Sequence, residues 1–89
     1  MDLETEELVA RYLDPSGRLR TYPAKRRAQQ AVLEWLGVRF EAGKRYSEQE
    51  VNDILDGAHS FGDPALLRRE LFDRGHMERT ADGSSYWRA

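Results

Sequence analysis

The 89-residue sequence predicts an α+β fold, winged helix-turn-helix-like, with about four helices, a C-terminal β-hairpin and one or two very short strands. Three observations carry that expectation. Apolar residues recur at helical spacing in four separate stretches. Two helix starts are spelled out by their caps, Ser47 with Glu50 and Asp63 with Pro64. After Gly75 the period falls from 3.6 to 2, and Ala81-Asp82-Gly83 divides two extended runs as a hairpin turn does.

The elements follow in order. DLETEELVARYL (residues 2–13) puts Leu8, Val9, Tyr12 and Leu13 on one stripe, with Asp2 as N-cap and acids in the first turn, where the helix dipole favours them. Asp14-Pro15-Ser16-Gly17 has the composition of a tight turn. RLRTY then alternates Leu19 and Tyr22 as a short strand. A second helix is expected from about Pro23 to Gly37 on the stripe Ala28, Ala31, Val32, Trp35 and Leu36, with Trp35 in the core and Val38 and Phe40 packed behind its end. Gly43 breaks the chain, and Lys44–Tyr46 reads as a tiny strand. The Ser47/Glu50 box opens a third helix on Val51, Ile54, Leu55 and Ala58, ending between Gly57 and Ser60. The fourth, from Pro64 to about Arg74, turns Leu67 and Leu71 inward and stops at Gly75. Residues 76–88 form the hairpin, in which Tyr86 and Trp87 face opposite ways, so that at most one of them reaches the core.

Two short helices joined by a tight link and followed at once by a hairpin give the winged form of the helix-turn-helix. In that frame residues 1–13 are a helical extension and 14–89 the domain proper. Helix 64–74 is the recognition helix, 76–88 the wing, and strand 44–46 the partner of the wing.

Composition narrows the function. Hydrophobic content of 39% with 34% charged residues describes a globular chain, not a disordered one. No apolar run approaches the ~18 residues of a membrane span, and MDLETEEL has neither the basic nor the apolar region of a signal peptide, so a cytoplasmic protein is expected. With no cysteine there is no disulfide, thiolate metal site or cysteine nucleophile. His59 and His76 lie far apart without ligand spacing, so neither metal nor cofactor is expected, and His59 reads as a solvated helix-end residue. No nucleophile lies at motif spacing from a base and no glycine-rich phosphate loop is present, which points away from an enzyme.

The strings GRLRTYPAKRRAQQAVLEWL, RYSEQEVNDIL and LLRRELFDRGHMERTADGSSYW resemble an uncharacterised bacterial domain family that occurs alone or C-terminal to ArsR-type winged-helix regulators. The likeness rests on Gly17, Leu19, Pro23 and Lys25, on Tyr46, Glu48, Glu50, Val51 and Asn52, on Leu67, Arg68, Arg69 and Leu71, and on Asp82, Gly83, Tyr86 and Trp87. It spans about residues 13–88 and implies a winged-helix fold in transcription-associated company, with no activity attached.

Charge supplies the candidate site. Net charge is −2, yet the sign reverses along the chain: Asp2, Glu4, Glu6 and Glu7 are followed by Arg18, Arg20, Lys25, Arg26 and Arg27. Cations at a helix start oppose the dipole, and no acid follows four residues on to relieve them. A phosphate-binding patch at Arg18, Arg20, Lys25, Arg26 and Arg27 is therefore expected, joined by Arg69 and Arg74 on the recognition helix and Arg79 on the wing. Arg68 is expected to pair instead with a carboxylate of the third helix, such as Asp53 or Asp56. DNA is the expected partner. The alternative is a protein partner or self-association, with Lys25–Arg27 quenched by the acids of the first helix; Asp63, Glu70 and Asp73 leave the recognition helix neutral against Arg68, Arg69 and Arg74, which argues against direct DNA readout.

Overall fold

A computed structural model describes residues 2–89 as α1 (Leu3–Ala10), α2 (Arg26–Gly37), β1 (Arg45–Tyr46), α3 (Glu48–Asp56), α4 (Pro64–Asp73), β2 (Met77–Arg79) and β3 (Tyr86–Arg88). The expected α+β class holds, with four helices and one three-stranded antiparallel sheet in the order β1-β3-β2. β3 therefore lies between the hairpin strand β2 and the isolated β1, with Tyr46, Tyr86 and Arg79 in one cross-strand row and Arg45, Trp87 and Glu78 in the next.

The helix starts follow their caps. Asp2 accepts from the Thr5 amide at 2.8 Å, Ser47 and Glu50 close a reciprocal box, and Asp63 accepts from the Leu66 amide at 3.1 Å ahead of Pro64. α4 ends in a Schellman arrangement: the His76 amide donates to the Leu71 carbonyl, the Gly75 amide to that of Phe72, and Gly75 takes φ of 81°. α2 is the exception at its start. It begins at Arg26 rather than Pro23, with Lys25 as an N-cap that offers no side-chain hydrogen bond. Pro23 is instead buried in the preceding loop, whose carbonyls at Pro23 and Ala24 accept from the Gln29 side chain.

α2 is the central helix, burying Ala28, Ala31, Val32, Leu33, Leu36 and Gly37, and four of these, Ala31, Val32, Leu33 and Leu36, join a single core cluster with residues from every other helix and from the sheet. Phe40 follows it into the core and meets Tyr46 edge-on, ring centroids 5.3 Å apart, while the Tyr46 hydroxyl accepts from the Glu41 amide. Two expectations at this end are corrected. Val38 stays 53% exposed, because its position at the C-cap turns it away from the helix's buried face. Trp35 is half-buried at the core's margin, its ring covered by the Arg39 guanidinium 4.3 Å from the centroid.

Residues 18–22 do not form a strand of their own. Leu19 makes two single bridges, antiparallel to Leu13 and parallel to His59, and is fully buried between them. Its amide donates to the Ala58 carbonyl at 2.8 Å and its carbonyl accepts from the Ser60 amide at 2.9 Å. The turn before it is closed by Asp14, which accepts from the Ser16 and Arg18 amides, and by Gly17 at φ of 84°.

His59 overturns its reading as a solvated residue. It is 2% exposed, with Nδ1 donating to the Leu55 carbonyl and Nε2 accepting from the Asp63 amide at 2.9 Å. One neutral ring thus joins the end of α3 to the N-cap of α4. His59→Phe keeps the shape and removes both bonds, leaving the Asp63 amide without its acceptor. It should lower the urea midpoint at constant m-value by the equivalent of about 1–3 kcal/mol, and an unchanged midpoint would show that packing alone holds the corner.

Candidate nucleic-acid interface

The eight cations nominated from the sequence divide into two groups. Arg18 is half-buried, and its guanidinium donates to the carbonyls of Asp56, the last residue of α3, and of His59 just past it, where the helix dipole is negative. The Arg20 guanidinium donates to the Arg11 carbonyl at 2.7 Å, closing the end of α1 in the same way. Arg74 sits between α4 and α2, donating to Gln29 at 3.0 Å and lying 3.7 Å from Glu70. Arg27 is exposed and forms an ion pair with Glu4 of α1. Each of these four has an internal partner, and Arg18, Arg20 and Arg74 are spent on holding elements together.

Lys25, Arg26, Arg69 and Arg79 have no ion-pair partner among the described residues, and all four are exposed. Lys25 and Arg26 stand at the uncapped start of α2. Arg69 and Arg79 line an open groove of about 360 Å³ between α4 and the β2–β3 hairpin, together with Glu48, Arg68, Phe72, Asp73 and Tyr86. Phe72 is 37% exposed there, and the Arg79 guanidinium lies 4.7 Å from its ring centroid.

Arg68 is structural, as expected, but its partners differ from those expected. It donates to Asn52 and lies 3.2 Å from Glu48, both one face of α3 away from Asp53 and Asp56. The crossing of α3 and α4 decides this choice: Glu48 and Asn52 are four residues apart and share the face turned to α4, whereas Gln49 and Asp53 bond each other outside it.

The β2–β3 hairpin is set by its turn. The Asp82 carboxylate accepts from the Thr80 hydroxyl, the Ser84 hydroxyl and the Ser84 amide within 3.0 Å, with Gly83 at φ of 73° beside it. These bonds favour the charged form, the Ser84 hydroxyl first, and hold the carboxyl down to about 2. Tyr86 is buried and Trp87 faces outward, donating from Nε1 to Glu78 at 3.0 Å beneath the Arg45 guanidinium. The outward ring thus packs with the strand at Arg45–Tyr46, and that Arg45 is its partner depends on the register between β1 and β3, for which strands of two and three residues carry no pattern.

The bridge from α2 to α4 runs through Tyr22, whose hydroxyl donates to Glu70 at 2.9 Å and is pushed well up by burial and by that carboxylate. Glu70, Arg74 and Gln29 continue the chain back to the Pro23 carbonyl. The basic start of α2 is thus fixed relative to α4 by side-chain hydrogen bonds rather than by a cap of its own.

Among the described residues no three histidine, cysteine or carboxylate side chains converge as a metal site would require, and no helix is long and apolar enough to cross a membrane. A family model described as an uncharacterized protein conserved in bacteria (DUF2087) matches residues 18–88, and the chain belongs to that family. No curated protein and no solved structure matches the chain.

Two outcomes follow from this division of roles. Arg68→Ala should destabilise the fold by about 1–2 kcal/mol in urea titrations, through loss of charge-assisted bonds, whereas Arg69→Ala should stay within about 0.5 kcal/mol; equal losses would dissolve the distinction. For Asp82 the native carboxyl lies below the ordinary 3.8, so its contribution is complete above about pH 4 and lost as pH falls towards 2. Acid titration of the Ser84 amide resonance should therefore have its midpoint near 2, and a midpoint near 3.8 would show that the turn is not closed in solution.

Proposed function

We propose that this member of the family is a transcription-associated nucleic-acid-binding domain of winged helix-turn-helix type, docking on the phosphates of duplex DNA. The observation that carries the reading is the groove between α4 and the hairpin, where Arg69 and Arg79 are exposed and without an ion-pair partner among the described residues, beside the partly exposed ring of Phe72. Support comes also from the order of helix, strand, helix, helix and hairpin with β3 between β1 and β2, the order a wing and recognition helix require.

The chemistry sets the mode of binding. Arginine presents a planar fork suited to phosphate oxygens and to guanine edges, and a helix is the element that fits the major groove. On the outward face of α4, however, Arg69 is balanced by Asp73. The balance favours phosphate contacts that fix the position of the domain over extensive reading of base edges. Lys25 and Arg26 add two cations at a helix start whose amides lack a side-chain cap.

One observation favours a different class of function. The Arg27–Glu4 ion pair and the mixed lining of the groove between α1 and α2, where Asp2, Glu4 and Glu34 oppose Arg26 and Arg27, suit a protein-interaction or self-association module with no nucleic-acid contact.

Fluorescence anisotropy of a random-sequence duplex, titrated at several salt concentrations, separates the two. Binding through the unpaired cations should give a slope of log affinity against log salt of roughly −3 to −5. The double variant Arg69→Gln, Arg79→Gln should reduce that slope by about 2 and leave the melting temperature unchanged. Absence of binding at low salt would overturn the reading in favour of a protein partner.

A further inference from the structure

We infer that α1 acts as a built-in competitor for the phosphate site at the start of α2, with Glu4 occupying Arg27 until a duplex backbone displaces it. The inference rests on the nucleic-acid reading above and adds a means by which that binding is held down.

Four features of the molecule converge on it. The first turn of α2 contains no acid of its own, and the carboxylate that reaches it comes from another element. Both partners of the pair remain accessible, with side-chain exposures of 74% for Arg27 and 63% for Glu4, so an incoming phosphate can reach Arg27 without unfolding anything. Asp2 and Glu4 line the same groove as Arg26 and Arg27, which places negative charge along the approach to both cations. Finally, α1 precedes the segment that matches the family, whereas Lys25, Arg26 and Arg27 lie within it. The competitor thus lies outside the matched segment that carries the site.

The exchange is one of side chains. α1 is anchored by Val9, which is 1% exposed in the core, and by Arg20, whose amide donates to the Tyr12 carbonyl and whose guanidinium holds the Arg11 carbonyl. The helix therefore stays in place while the Glu4 carboxylate swings into solvent and a phosphate oxygen takes its position on the Arg27 guanidinium. Any ligand that draws Glu4 away would strengthen duplex binding, and the duplex would strengthen that ligand's binding by the same factor.

The test uses the full chain and a labelled random duplex at one low salt concentration. Glu4→Gln should tighten the dissociation constant about two- to five-fold, the scale of an exposed ion pair released. Glu7→Gln, with the same change in net charge and no cationic partner among the described residues, should tighten it less. In an Arg27→Gln background Glu4→Gln should tighten it no more than Glu7→Gln does. Equal gains from Glu4→Gln and Glu7→Gln in the wild-type background, or a Glu4→Gln gain that keeps its full size without Arg27, would overturn the competition while leaving the nucleic-acid reading intact. Failure of the wild type and every variant to bind the duplex would overturn both.

Discussion

The position of α4 depends on the corner that joins it to α3, and that corner is tied by the imidazole of His59. Its two nitrogens face opposite demands, one the Leu55 carbonyl at the end of α3 and the other the Asp63 amide at the start of α4. Only a neutral ring with the proton on Nδ1 satisfies both. The segment at Leu19 is stitched to the same corner through Ala58 and Ser60, and Arg18 closes it from outside by taking the carbonyls of Asp56 and His59. Leaving a buried donor or acceptor of this kind unpaired costs about 1–3 kcal/mol, a sizeable share of the stability of an 89-residue domain. The direction in which α4 presents Arg69 and Phe72 is therefore fixed by polar groups outside α4 as much as by Leu67 and Leu71 within it.

What could be read from the sequence follows from which interactions are local. Ser47 with Glu50, Asp63 with Pro64, and Gly75 act within a single turn of helix, so their residue types alone announce them, and the starts of α3 and α4 and the end of α4 fall where expected. Leu67, Leu71, Val51 and Leu55 follow from periodicity for the same reason. Partners brought together by the path of a loop or by distant segments were not legible. His59 looks like a helix-end residue until Asp63 curls back to it, and Arg18 looks like an anion ligand until the end of α3 arrives beside it. The start of α2 was misplaced because Pro23 is equally at home before a helix, and the carbonyls ahead of Lys25 are taken by Gln29 from the next turn.

The candidate site was legible as a set of residues and not as a surface. A cluster of cations in sequence says only that they must be accommodated, and the fold accommodates four of the eight internally. Arg18 and Arg20 close the ends of helices, where a guanidinium offsets the negative end of the dipole, and Arg74 joins α4 to α2 through Gln29 and Glu70. These are roles that arginine's several fixed donors permit and that a count of charge conceals. The remaining four, Lys25, Arg26, Arg69 and Arg79, fall into two exposed pairs, one at the start of α2 and one across the groove between α4 and the β2–β3 hairpin.

The cations at the start of α2 are tolerated by the fold without being explained by it. Each costs on the order of 0.3–1 kcal/mol against the dipole at an exposed helix start. α2 buries Val32, Leu33 and Leu36 completely, and each such side chain contributes about 1.5–3 kcal/mol relative to exposure. The helix is therefore secure with or without Lys25, Arg26 and Arg27, and neutral residues there would serve stability better. Glu4 answers one of the three, from a neighbouring helix and across an exposed contact that contributes about 1 kcal/mol at most. The charge left over points outward, and its use is to be sought in what approaches the molecule.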